Sequence, residues 1–169
     1  KRAILGGVKT IEHGTYMSEE TMELMKKHNV YLVPTITAGK EVEEKAKIKG
    51  FYPAIVVPKA LAVGPQIQGT FTTAYKKGVG IAFGTDAGVF KHGNNGKEFK
   101  YMVEAGMPAM ETIQSATVTN AKILKMENNI GRIKKGFYAD IIAVDQNPLK
   151  NIEIMEKVSF VMKDGVVYK

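Results

Sequence analysis

Two short apolar runs in this chain each end on a group that can do chemistry. Val79-Gly80-Ile81-Ala82-Phe83 leads into Gly84-Thr85-Asp86-Ala87-Gly88, and Val8-Lys9-Thr10-Ile11-Glu12 leads into His13-Gly14. A buried strand that stops at a lone carboxylate between glycines offers that acid where backbone can approach a substrate or a metal closely. A histidine presented in the same manner is a nitrogen donor. A His and an Asp at two strand ends point to metal-assisted chemistry at the mouth of a parallel sheet. Taken singly, each motif reads equally well as a turn, because glycine after a polar residue is common in turns.

The elements that must hold these groups read as strand and helix in alternation. After His13, Ser18 is expected to cap a helix with Glu19 and Glu20 at its positive end, and Met17 and Met22 take the staple positions around the cap. Thr21, Leu24, Met25 and His28 follow helical spacing and mark the inward face, and Asn29 is the expected stop. Val30-Tyr31-Leu32-Val33-Pro34 is unbroken in its apolarity, as suits a strand covered on both faces. Lys40 to Lys49 reads as a charged helix with few apolar anchors, inside a long excursion over residues 36–64 that is either a pocket wall or a mobile surface segment. A helix is expected from Pro65 to Lys77, with Gly78 ending it before the strand that leads to Asp86. Further helices are expected from Asn95, from Pro108 through Ala116, and from a Thr119 cap to Met126. From Asn128 the period changes to that of strands: residues 139–145 are one, and Asp164-Gly165 between two apolar runs signals a two-residue hairpin.

Read in order, Ile11-Glu12-His13-Gly14, Val33-Pro34-Thr35, Gly84-Thr85-Asp86-Ala87-Gly88, His92-Gly93-Asn94-Asn95 and the run Gly131-Arg132-Ile133-Lys134-Lys135-Gly136-Phe137-Tyr138-Ala139-Asp140 resemble the C-terminal part of an amidohydrolase-superfamily enzyme. The branch it resembles is the imidazolonepropionase-like and Xaa-Pro-dipeptidase-like group, and the resemblance extends over the whole chain. It implies an α/β fold: about three β/α units of a (β/α)8 TIM-type barrel in residues 1–127, and part of a small β-sandwich domain in residues 128–169. Family members also carry a His-x-His pair after the first barrel strand, usually a metal-bridging lysine or glutamate after the fourth, and a histidine after the fifth. This chain has no His-x-His and only three histidines, His13, His28 and His92, and it begins at Lys1. It is therefore expected to be a fragment that starts just before the sixth barrel strand.

What the resemblance implies for function is a metal-dependent hydrolase attacking an amide or cyclic C–N bond, in a dipeptide or an imidazolone-like ring, with a metal-activated water. Zinc is the expected divalent metal, weakly held or absent in the isolated chain, which is expected to be inactive. On the residues alone His13 is as well explained by a hydrogen bond to a loop; with the resemblance it becomes a metal ligand. Asp86, otherwise a turn cap, becomes both a ligand and the acid–base group that accepts a proton from the attacking water. Thr35 is expected to shape the pocket. His92 and Asn95 lie on the loop after Asp86 and are candidates for substrate contact, with a helix N-cap as the other reading of Asn95. His28, near a helix C-terminus, reads as structural, as do Glu12, Asp140 and Asp145.

Composition bounds these readings. With 169 residues and 44% hydrophobic content the chain can bury a sizeable core. It has no cysteine, so neither disulfides nor thiolate metal sites arise, and a cytoplasmic setting fits. The longest apolar stretch, residues 54–64, is interrupted by Pro58 and Lys59 and falls short of the ~20 residues of a membrane span. The net charge of +7 comes from lysines scattered among acids, which suits solvated faces and not a nucleic-acid surface. The expected partner is a small amide or dipeptide substrate, with self-association into a homo-oligomer. A non-catalytic binding or scaffold module is the alternative reading.

Overall fold

A computed structural model describes all of residues 1–169. Its centre is a set of three short parallel strands. Strand β1 (Thr10–Glu12) pairs in parallel with β2 (Tyr31–Val33) in the register Thr10 to Tyr31. Residues 79–83 continue the set through a parallel bridge between Leu32 and Ile81, closed by Leu32 N–H on Gly80 O and Ala82 N–H on Leu32 O, both at 2.9 Å. All three strands run the same way, so His13, Thr35 and Asp86 leave the sheet at one end. Gly84 makes the close packing there possible, because a Cβ at this position would run into Val33 Cγ1.

Helices cover these strands. After α1 (Arg2–Leu5), α2 (Glu19–His28) begins as expected: Ser18 Oγ accepts from Thr21 N–H, and Asn29 ends the helix in the left-handed conformation at φ 52°. Its buried residues are Met22 and Met25, while His28 is exposed, so the inward face is rotated away from the histidine. Helix α3 (Ile36–Ala46) starts four residues before the charged stretch. Its first turn, Ile36 to Gly39, is buried and supplies the apolar anchors that the lysine-rich half lacks. Helix α4 (Val57–Lys76) begins eight residues ahead of the expected Pro65 start. Pro58 in its first turn is the effective start signal. Pro65 is tolerated inside because it lies on the exposed side, where water can take the carbonyl it leaves without a donor.

Helix α5 (Lys97–Glu104) leads to a continuous helical stretch comprising α6 (Ala109–Gln114), a π-helical segment (Ser115–Thr119) and α7 (Asn120–Ile123). The break expected at Ala116 and the cap expected at Thr119 are absent. Ser115 and Thr117 turn their hydroxyls back onto the carbonyls of Thr112 and Ile113, at 2.7 and 2.8 Å, and the helix widens there instead of stopping. The buried cluster that ties strands to helices includes Leu32, Ile36, Ile67, Phe71, Ile81 and Met102.

The last part is a three-stranded antiparallel sheet of β3 (Ile141–Val144), β4 (Val158–Lys163) and β5 (Val166–Val167). The hairpin turns on Asp164 and Gly165, at φ 50° and 78°, the two positive values that a type I′ turn needs. Asp140 accepts from Lys163 Nζ and from Asp164 N–H, which braces the turn. The sheet is tied back by a 3-10 turn (Ile152–Glu156) whose Met155 carbonyl approaches Gly96 and whose Glu153 pairs with Lys100 at 3.0 Å. No helix is long and apolar enough to cross a membrane. The accessible surface, 10098 Å², exceeds the about 8,200 Å² usual for a folded chain of this mass. Exposed Leu5, Ile55 and Ile133 contribute to the excess.

Candidate active site

Each of the three parallel strands is followed by a non-glycine residue in the left-handed region: His13 at φ 65°, Thr35 at φ 50° and Asp86 at φ 55°. This conformation is uncommon for side chains with a Cβ, and for β-branched Thr it is a marked outlier. Such strain persists only where surrounding contacts hold it, and it clusters at functional sites. The contacts are visible here. His13 N–H continues the strand ladder onto Val33 O at 2.9 Å, and the turn after Asp86 closes with Val89 N–H on Asp86 O at 3.2 Å. The strand before Asp86 is held by Asn120, whose side-chain amide accepts from Phe83 N–H at 3.2 Å and donates to Phe83 O at 2.9 Å, in the place of a neighbouring strand.

All three residues line one cavity of about 170 Å³, whose remaining wall is mostly apolar and comes from α3 and α4, with Ala38, Val42, Val63 and Ile67, and from Val89. His92 and Asn95 are exposed and are not among its walls. Asn95 does not cap α5 either. It donates to Thr85 Oγ1 at 3.1 Å and accepts from Gly93 N–H at 3.2 Å, so it braces the loop beside Asp86. A larger groove, about 530 Å³, lies at the other end of the sheet against Tyr31, Gly80, Ile81, Lys122 and Arg132. In parallel sheets ligands bind outside the carboxyl ends of the strands, and the smaller cavity holds that position.

Hydrogen bonding sets the state of His13. Its Nδ1 lies 2.7 Å from Thr35 Oγ1, and Thr35 Oγ1 is 2.8 Å from the Pro34 carbonyl, which can only accept. With the Thr35 hydroxyl proton directed at Pro34 O, the oxygen is left to accept from His13, a pairing that puts the imidazole proton on Nδ1. Nε2 keeps its lone pair. That is the tautomer in which a histidine ligates a metal through Nε2 while its other nitrogen is fixed by a neighbour.

The two residues after Thr35 are held by a group with no local signature in the sequence. Glu98, on α5, is fully buried and accepts from Ile36 N–H at 2.8 Å, Thr37 N–H at 2.7 Å and Thr37 Oγ1 at 2.6 Å. Burial pushes its carboxyl above the usual value, against these three bonds, which pull it down. By sequence Glu98 is only an acid in the first turn of a helix, and its bonds span 61 and 62 residues.

His13 and Asp86 supply a nitrogen and a carboxylate oxygen to one cavity, the donor types that zinc and similar cations take. No group of three or more possible ligands gathers anywhere in the chain, so these two fit a metal as part of a ligand set and not as a whole one.

Comparison with known proteins identifies the family. Residues 1–168 match the family model described as the amidohydrolase family. A crystal structure of a Xaa-Pro dipeptidase with bound methionine in its active site superposes with a TM-score of 0.95 at 58% identity, over 99% of this chain and 41% of that one. A prolidase complexed with N-methylphosphonate-L-proline superposes with a TM-score of 0.87 at 30% identity, over 99% of this chain and 42% of its own. Ochratoxinase from Aspergillus niger is 31% identical over 172 residues, 99% of this chain and 35% of the relative. The chain thus spans well under half the length of the relatives it matches. With the family model covering nearly all of it and its strand ends converging on one cavity, the chain belongs to the amidohydrolase family.

Proposed function

We propose that this chain carries the His13 and Asp86 corner of a divalent-metal-dependent hydrolase active site that cleaves an amide bond in a small substrate such as a dipeptide. The observation that carries the reading is the convergence of three strained strand ends on one cavity, with His13 Nδ1 engaged by Thr35 Oγ1 at 2.7 Å so that Nε2 is the nitrogen left to ligate. Members of the family are in general divalent-metal dependent, and zinc suits the donor pair. An effective site needs three or four protein ligands, and the remainder would come from the additional length that the relatives possess. That length would also complete a (β/α)8 barrel around the three strands, residues 1–127 forming the barrel part and 128–169 the β-domain.

The roles follow from position. His13 Nε2 and the Asp86 carboxylate would hold the metal, which when bound supplies Lewis-acid activation of the attacking water and the scissile carbonyl. Asp86 orients that water, accepts its proton and returns it to the leaving amine, so the proton balance closes within the site. The apolar wall of Val42, Val63, Ile67 and Val89 suits an apolar side chain on the substrate. Dipeptides therefore rank ahead of a polar imidazolone ring. With two ligands alone, the isolated chain is inactive. In the longer protein, hydrolysis of Xaa-Pro dipeptides should follow metal loading and stop on chelation. Equal rates with and without metal would refute the reading.

A further inference from the structure

Thr35 occupies the N-cap position of α3, where a threonine ordinarily turns its hydroxyl onto the N–H groups of its own helix. Here it makes no such bond. Its hydroxyl is engaged with Pro34 O and His13 Nδ1, and the first N–H groups of the helix, those of Ile36 and Thr37, are taken by Glu98. Two acceptors thus compete in principle for one set of donors. While the Glu98 carboxylate holds those donors, Thr35 stays at φ 50° with its oxygen turned to the histidine. Without it, two buried N–H groups lack an acceptor, and the Thr35 hydroxyl, the ordinary N-cap partner for that of Thr37, reaches it only by leaving His13. Glu98 is also placed to couple the two halves of the site, because its helix follows the loop that starts at Asp86.

We propose that Glu98 is a positioning residue for His13: by capping α3 in place of Thr35, it frees the Thr35 hydroxyl to fix the imidazole proton on Nδ1 and so keeps Nε2 available. This rests on the reading of His13 as a nitrogen donor in the site.

Nitrogen-15 NMR of the chain with labelled histidines, at pH 8, tests it. The three histidines are assigned by His28→Gln and His92→Gln. In the wild type, His13 Nε2 should resonate as an unprotonated nitrogen and Nδ1 as a protonated one, and Thr35→Val should abolish that pattern. Glu98→Gln, shown folded by circular dichroism, should move both His13 nitrogens toward the averaged positions of a mixed tautomer. Wild-type shifts in folded Glu98→Gln, with Thr35→Val altered, would overturn the role of Glu98 alone. A proton on Nε2 in the wild type would overturn the His13–Thr35 arrangement and this proposal together. Should Glu98→Gln not fold, Glu98→Asp, which keeps the charge but draws the carboxylate back by one methylene from the Ile36 and Thr37 N–H groups, carries the same test. A partial move of the His13 nitrogens supports the proposal, and an unchanged spectrum overturns it.

Discussion

Replacing Glu98 with alanine should destabilise the chain more than any surface substitution. The mutation strands three buried donors, Ile36 N–H, Thr37 N–H and Thr37 Oγ1, each worth about 1–3 kcal/mol when left unpaired. It also relieves the desolvation of the carboxyl, which offsets part of that loss. The net expectation is about 3 kcal/mol, a large fraction of the 5–15 kcal/mol typical of a domain. For a chain of this size that corresponds to a fall in Tm of about 10 °C. Glu98→Gln keeps one acceptor oxygen and should lose less. The pH dependence has a definite sign. Because burial holds the folded carboxyl above the ordinary glutamate range, the native state binds more protons than the unfolded state in the interval between the unfolded and folded values. The stability contributed by this group therefore falls as pH rises through that interval, and is level above it. Urea melts of wild type and Glu98→Gln from pH 4 upward should show this falling component in the wild type only. A loss below 1 kcal/mol in Glu98→Ala, or a difference between wild type and Glu98→Gln that does not vary with pH, would refute the account of a capped and desolvated carboxyl.

Other perturbations test separate parts of the structure. Gly84→Ala forces a methyl group into Val33 Cγ1 and should cost about 1–3 kcal/mol by chemical denaturation; a neutral result would mean the third strand packs less closely than described. In the longer protein, His13→Ala should lower bound metal measured by elemental analysis, and unchanged stoichiometry would remove His13 from the ligand set. The surface excess and exposed residues such as Leu5, Ile55 and Ile133 lead us to expect that the isolated chain self-associates. Light scattering that gives a monodisperse monomer over micromolar concentrations would show that the exposed apolar groups do not drive association.

The strand ends were legible in the sequence because apolar runs stopping at His13-Gly14 and at Gly84-Thr85-Asp86 carry their own signal, and so does the Asp164-Gly165 turn. Local chemistry decides those features. What escaped was decided by contacts distant in sequence. The buried first turn of α3 is invisible beside its lysines until Glu98 and the neighbouring helix are packed against it. Pro65 looks like a helix start until Pro58 takes that place, and Thr119 looks like a cap until Ser115 and Thr117 back-bond and carry the helix past it. Asn120, which completes the ladder at Phe83, gives no local hint of that role. The left-handed conformation of Thr35 is likewise imposed by its neighbours, since nothing in Val33-Pro34-Thr35 favours it.

Turnover of the metal-loaded longer protein carrying Asp86→Asn tests the central claim most directly. The substitution removes the proton acceptor while keeping volume, so folding should be retained and kcat on a Xaa-Pro dipeptide should fall by about 10²-fold or more. Wild-type turnover in a folded, metal-replete Asp86→Asn enzyme would contradict the assignment of this strand end as the catalytic one.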